Sequence, residues 1–159
     1  DFNPFTFVSS RTNSAGKSVV TGAEIGAEAI DIKHSGVDIA LDYTRQRSTD
    51  ASGNRLAYDP QDRGGIRVTA RQSPTNRTQT WESIRFERTG PYFSGANENG
   101  RVDGYNLLSA AAGVQLDRRW DLSVRIENLT DERYLVTSAY GVAYSTMPRS
   151  YFLTLTGTF

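Results

Sequence analysis

The residues able to do acid–base or metal chemistry are few. His34 is the single histidine, and there is no cysteine. Thiol chemistry, disulfides and cysteine metal sites are therefore excluded, and a histidine-rich metal site cannot be built within this chain. A Ser-His-Asp hydrolase would need His34 as its base. His34 lies in DIKHSG (31–36), a polar stretch that reads as a short turn leaving the ring in water. Glu24 and Glu28 share one side of an alternating stretch and imitate a catalytic carboxylate pair, but a charged network on a wet face explains them more simply. Asp50, Asn54, Asp59 and Asp62 crowd one loop, yet lack the ligand spacing and the terminal glutamate of a calcium-binding EF-hand. We expect no enzyme, no metal and no cofactor.

Binding residues are better represented. Pro91-Tyr92-Phe93 is followed by Asn97, Asn99 and Arg101, which sets two rings beside polar donors. Tyr140 and Tyr144 do the same in a later loop. Tyr92, Phe93, Asn97, Arg101, Tyr140 and Tyr144 are thus the candidate ligand-contacting set, with exposed loop packing as the competing reading. Tyr58 lies mid-loop and fits either. Lys plus Arg and Asp plus Glu both number 18. That balance argues against a nucleic-acid partner, which selects for a basic excess.

The elements that position these residues are strands. Val37, Ile39, Leu41 and Tyr43 alternate with Asp38, Ala40, Asp42 and Thr44. Ile66, Val68 and Ala70 alternate with Arg67, Thr69 and Arg71. Leu122, Val124 and Ile126 alternate with Ser123, Arg125 and Glu127. Tyr151, Leu153, Leu155 and Phe159 alternate with Ser150, Thr154, Thr156 and Thr158. Period two is the mark of a strand with two unlike faces. The full pass gives about eight strands: 1–10, 17–30, 37–44, 64–71, 77–88, 105–116, 120–134 and 149–159. Trp81 has the wrong parity for the apolar side of its strand, so it points to the polar side or sits at a bulge. The connections alternate in length. Residues 31–36, 72–76 and 117–119 make short turns; residues 47–62, 89–104 and 135–148 make long loops.

No stretch approaches ~18 consecutive apolar residues, so no transmembrane helix is expected, and the start of the chain lacks the basic and apolar runs of a signal peptide. Membrane strands escape the helix test because only every second residue meets lipid. Alternate short and long connections are what an outer-membrane barrel shows, with turns in the periplasm and loops outside. Strict up-and-down order puts the three long loops on one side and places Phe159 at the periplasmic end. About eleven residues per strand, tilted by ~45°, span roughly 25 Å, the height of a barrel's apolar band. A soluble sandwich or ligand-binding barrel would show the same alternation. Three features favour the membrane. The polar faces carry opposed charges, among them Arg67, Arg85, Glu87, Arg125 and Glu127, as a wet lumen would. Several apolar faces are small, as at Ala23, Ala27, Ala110 and Ala112. There are too few large residues to fill a sandwich core. Tyr43, Tyr134 and Tyr151 suit the aromatic girdle at headgroup level.

Asn128, Leu129, Asp131 and Tyr134, within VRIENLTDERY (124–134), carry a resemblance to the penultimate strand of TonB-dependent outer-membrane receptors, which typically shows N-L-x-D-x-x-Y. Arg149, Tyr151, Phe152 and the terminal Phe159 resemble the R-x-Y-F element and aromatic end of the same family. The likeness is specific over 104–159 and looser over 17–71; Gly157 departs from it, standing where the family often has an aromatic. It implies an all-β, antiparallel up-and-down transmembrane barrel. It also implies uptake of a scarce chelate, a ferric siderophore first and a cobalamin-type ligand next, with aromatic and Arg residues of the outward lumen touching it. The implied partners are the lipid bilayer and lipopolysaccharide, the barrel assembly machinery reading Tyr151, Leu153, Leu155 and Phe159, and the rest of a receptor, through whose plug TonB acts. Family barrels have 22 strands. Residues 1–159 therefore read as a single barrel segment with neither plug nor TonB box, either a fragment of a larger barrel or a small barrel closed on itself with a structural or surface-display role.

Overall fold

The computed structural model describes residues 2–3, 8–9, 16–117, 119–139 and 142–158, with side chains over 16–117, 119–134 and 145–158. Thirteen strands occur among them: β1 (Phe2–Asn3), β2 (Val8–Ser9), β3 (Val19–Ala29), β4 (Val37–Thr49), β5 (Asp62–Thr75), β6 (Thr78–Thr89), β7 (Tyr92–Phe93), β8 (Arg101–Val102), β9 (Tyr105–Leu116), β10 (Trp120–Glu127), β11 (Leu135–Ala139), β12 (Val142–Ser145) and β13 (Ser150–Gly157). One 3₁₀ turn, Ile32–His34, joins β3 to β4. Seven strands form one antiparallel sheet in the order β13-β10-β9-β6-β5-β4-β3. The other six form three two-stranded hairpins, β1-β2, β7-β8 and β11-β12.

Two expectations are corrected here. The sheet has seven strands, because 1–10 does not add an eighth: Phe2 pairs with Ser9 and Asn3 with Val8, so this stretch turns back on itself. Phe5 and Phe7 lie outside the described residues. Two of the long loops also carry their own hairpins, in which Tyr92 pairs with Val102 and Tyr144 with Thr137.

The ladders carry one parity across the whole sheet. Ile25 pairs with Tyr43, Leu41 with Ile66, Ile66 with Phe86 and Phe86 with Leu108. Val124 pairs with Ala112 on one side and Leu153 on the other. Opposite residues in an antiparallel pair project from the same face, so these rows make one continuous apolar surface. Nothing covers it. Ile25, Ile84, Tyr151, Leu153 and Leu155 are all more than half exposed. The only buried apolar residues among those described are Tyr92 and Val102, and they belong to an outer hairpin rather than to a core. A sandwich needs a second layer over this face. Leaving such side chains in water costs roughly 1.5–3 kcal/mol each, whereas lipid tails satisfy them. The same rows settle Trp81. It pairs with Arg71 and Gly113 within an unbroken stretch of ladder, so it points to the polar side without a bulge. A Cβ at Gly113 would come within 2.5 Å of its indole, so the ring lies across that glycine.

Gly157, the departure from the aromatic pattern, has a matching explanation. It pairs with Trp120, whose ring lies 2.6 Å from where a Cβ at 157 would stand. The neighbouring strand supplies the aromatic surface that position 157 lacks, a covering of glycine familiar from sheets. Trp120 is exposed on the apolar face at the short-turn end, where a girdle residue belongs.

The sheet is open. β3 and β13 stand at the two ends of the strand order and do not pair with one another.

Candidate functional site

The polar face and the long-loop end form the candidate site. Arg67, Arg85, Glu87, Arg125 and Glu127 line one concavity of about 390 Å³ together with Ser83 and Ser109. Strand alternation puts them there: each is two residues from the next on its strand, or opposite across a ladder, as Arg67 is to Arg85. Arg85 Nη2 lies 2.8 Å from Glu87 Oε1, and Arg125 Nη1 lies 3.3 Å from Glu127 Oε1. Arg71 is ion-paired with Asp38. Arg67 faces Arg85 with no ion pair or hydrogen bond among the described residues, so this face keeps one uncompensated guanidinium. Phe152 is an apolar residue on the polar face, and Arg125 explains it: the guanidinium carbon sits 4.6 Å from the ring centroid, at cation–π distance.

At the outer end, Tyr58, Pro60, Arg63, Thr89, Tyr92 and Tyr105 line a smaller pocket of about 300 Å³. Tyr105 pairs with Thr89 at the top of β9 and shares the polar face. Tyr134 stacks on Tyr105 at 4.7 Å between centroids. Tyr134 thus joins this cluster and not the lipid girdle, because the left-handed Asn128 and Asp131 (φ 51° and 53°) turn the chain after β10. Its hydroxyl is buried without a hydrogen-bond partner among the described residues. Desolvation first, then the Glu132 carboxylate, raise its pKa above the ordinary tyrosine value. Burial likewise raises that of Tyr92, helped by the neighbouring Tyr105 and Tyr58. Both rings stay neutral.

The first two outer loops are locked to each other. Tyr58 N donates to Phe93 O at 2.7 Å, Arg55 N to Glu98 Oε1 at 3.2 Å and Arg55 Nη2 to Pro91 O at 3.2 Å. Asn54 Nδ2 reaches Asn97 Oδ1 at 3.4 Å. The Arg55 guanidinium also covers Phe93 at 5.0 Å. The acidic residues of the first loop are used internally. Asp50 accepts backbone N–H bonds from Ser52 and Asn54, both at 2.9 Å. Desolvation pushes its pKa up, but the hydrogen bonds from Asn54, Ser52 and Gly53 outweigh that and hold it below the ordinary carboxylate value. Asp59 is held by Gln46 and Ser48, and Asp62 accepts from Tyr43 Oη at 2.8 Å.

The Asn-Leu-x-Asp motif is a clamp. Asn128 is 3% exposed. Its Nδ2 donates to Glu132 O at 2.7 Å and Met147 O at 3.1 Å, and its Oδ1 accepts from Glu132 N at 3.2 Å. Asp131 Oδ1 accepts from Arg149 N at 2.8 Å, and Leu129 N donates to Leu108 O at 2.7 Å. These bonds tie the end of β10 to the start of β13 and to β9, closing the base of the third loop.

The candidate residues fare differently. Tyr92 lines the outer pocket, while Phe93 is used against Arg55. Asn97 bonds Asn54, and Arg101 Nε lies 3.5 Å from Asp103 Oδ1 on the exposed surface. Tyr140 and Phe159 lie outside the described residues, as does the side chain of Tyr144. Tyr151, Leu153 and Leu155 share the apolar face of β13. Tyr105 and Arg63 escaped the sequence reading, because both end a strand and look like ordinary polar-face positions there. The long-range pairing that sets them beside Tyr58 leaves no local signal.

His34 is exposed at the short-turn end, 3.3 Å from Asp31. No group of three or more potential metal ligands gathers among the described residues.

Comparison with known proteins bears on the whole sheet. Residues 1–129 match the family described as TonB dependent receptor-like, beta-barrel. No curated protein matches the sequence. Among solved structures, the ferric yersiniabactin uptake receptor FyuA from Yersinia pestis superposes with a TM-score of 0.76 at 24% identity, over 91% of this chain and 24% of that one. The ferric-catecholate import receptor Fiu from K12 E. coli in its closed form gives 0.66 at 21% identity, over 91% and 21%. FpvA of P. aeruginosa bound to heterologous pyoverdines gives 0.67 at 18% identity, over 88% and 19%. At these identities the likeness is one of fold. The chain spans about a quarter or less of the length of these receptors. The family match over most of the chain, the open sheet with its uncovered apolar face and the superposition on barrels agree: this chain belongs to the TonB-dependent receptor family, as an antiparallel stretch of its β-barrel in the bacterial outer membrane.

Proposed function

We propose that the chain forms part of the barrel of an outer-membrane receptor that takes up a ferric siderophore, using energy passed from TonB through a plug inside the barrel. The observation that carries this reading is the pocket at the outer end of the polar face, where Tyr58, Tyr92 and Tyr105 stand around Arg63. Tyrosines give flat faces with polar edges, and Arg63, 3.6 Å from Asp59 Oδ1, gives a guanidinium with charge-assisted donors. Together they suit a bulky, oxygen-rich, anionic chelate better than a neutral sugar. Deeper on the same face, Arg67 and the Arg85–Glu87 and Arg125–Glu127 pairs offer polar contacts to the plug. The solved receptors that share the fold import ferric yersiniabactin and ferric catecholates by name, which supports the same substrate class here. In this reading lipopolysaccharide surrounds the outer half of the apolar face, and the assembly machinery engages Tyr151, Leu153, Leu155 and Phe159.

Binding to the complete receptor tests the proposal. Ferric siderophores of catecholate and phenolate type should quench its tryptophan fluorescence saturably, and a double change of Tyr105→Ala and Arg63→Ala should weaken binding about tenfold to a hundredfold, the loss of one charged and one stacking contact. Saturable binding of a cobalamin with no response to ferric siderophores would overturn the substrate assignment.

A further inference from the structure

The apolar face carries one feature that lipid tails alone do not require. Gly64 lies between Tyr43 and Arg88 in the ladder rows. Its missing side chain opens a groove of about 610 Å³, with Gly64 and Ile66 as the floor and Leu41, Tyr43 and Phe86 as walls. The groove sits in the interior of the seven-stranded sheet, so β4, β5 and β6 complete it without help from further strands. At its long-loop end Arg88 lines the groove, and Arg45, on the same face, lies beside the lining residue Asp62. Arg45 pairs across the ladder with Asp62, and Arg88 with Gly64 and Asn106.

These two cations are poorly neutralised. Arg45 Nε is 4.0 Å from Asp62 Oδ1, a long contact, and the Arg45 side chain is 77% exposed. Asp62 already accepts from the Tyr43 hydroxyl at 2.8 Å. Among the described residues Arg88 Nη1 reaches only the amide oxygen of Asn106, at 3.5 Å. Arg45, 4.0 Å from Asp62, and Arg88, with no carboxylate partner among the described residues, leave positive charge where the apolar wall meets the headgroup layer at the long-loop end. A cationic rim above an apolar slot has one natural occupant in a membrane: an acyl chain with a phosphate at its head.

We propose that this groove is a binding site for a phosphate-bearing lipid of the outer leaflet, with an acyl chain along Gly64 and Ile66 and the phosphate between Arg45 and Arg88. The proposal rests on the apolar face being the lipid-facing one. The gap at Gly64 sets the position of the chain. A Cβ there would come within 2.9 Å of Asp42 O and 3.0 Å of the Tyr43 ring, so a larger residue would close the slot. The two arginines set the headgroup preference, each contributing about the attraction of one basic residue at an anionic membrane surface.

The test places a bimane label on Ile84→Cys, exposed on the same face beside the groove and outside its lining, in a cysteine-free form of the complete receptor, reconstituted in phosphatidylcholine nanodiscs. Brominated-chain phosphatidic acid or brominated-chain phosphatidylcholine is then added at equal mole fraction. The site predicts that phosphatidic acid quenches as if enriched about tenfold or more, that the double change Arg45→Gln and Arg88→Gln returns it to the phosphatidylcholine level, and that inorganic phosphate does not relieve the quenching. Equal quenching by both lipids in the unchanged rim overturns the site while leaving the face in lipid. Preference that survives the double change overturns the role of the two arginines. Relief by inorganic phosphate means an anion site without the lipid, which also overturns the proposal. Absence of quenching by either lipid overturns the lipid-facing reading beneath it.

Discussion

At the scale of single residues, the Asn-Leu-x-Asp motif has a mechanical role. Asn128 makes its bonds to backbone groups of Glu132 and Met147 from a buried, left-handed position. Asn tolerates that conformation better than most residues. Asn128→Ala should therefore lose the bonds and strain the turn together, destabilising the receptor by about 2–4 kcal/mol. A guanidinium unfolding titration in detergent measures it; a change within ±0.5 kcal/mol would mean the clamp is idle. Asp50 makes a pH prediction. Its folded pKa is depressed, so its contribution is present above the unfolded carboxylate value and is lost as pH falls through the lower folded value. Amide exchange at Ser52 and Asn54 should stay protected at neutral pH and lose protection only below the ordinary aspartate range. Protection that persists in Asp50→Ala would contradict this.

At the scale of the strand, parity divides the consequences of mutation. Leu153 and Thr154 are neighbours on β13, yet they face opposite sides. Leu153→Arg should cost about 2–4 kcal/mol if it meets the hydrocarbon, whereas Thr154→Arg on the polar face should cost little. Refolding into phospholipid vesicles against guanidinium separates the two, and equal costs would remove the distinction between faces. Trp120 and Gly157 make a paired prediction. Gly157→Phe alone should collide with the Trp120 ring, and Trp120→Gly alone should strip the cover from Gly157. The double change should recover much of the loss, because the two positions share one space. Strict additivity in the double-mutant cycle would show that they do not.

At the scale of the molecule, the strands and their order were legible in the sequence because alternation is a local signal. The long loops were legible as connections between strands. What could not be read was set by distant pairing. The hairpins within the loops, the lock of Arg55 onto Phe93 and Pro91, and the meeting of Tyr58, Tyr92 and Tyr105 all join residues far apart in sequence. The stretch 1–10 misled for the opposite reason. Its alternation is local and genuine, but the chain turns back and pairs with itself instead of with β3. Trp81 shows the same limit in reverse, since its parity only makes sense once Gly113 is seen beneath its ring.

The central claim is that this seven-stranded sheet is continued by further strands of a receptor barrel and does not close on itself. Two unpaired edges in a bilayer would be very costly, so β3 and β13 each need a neighbour. The chain has no cysteine, which makes disulfide trapping direct. Cysteines placed at Ile25 on β3 and Leu153 on β13 of the complete receptor in outer membranes should fail to cross-link under oxidation, while the adjacent pair Ala112 and Val124 on β9 and β10 cross-links readily. A disulfide between Ile25→Cys and Leu153→Cys, formed as readily as in the adjacent pair, would mean a small closed barrel and would contradict the account.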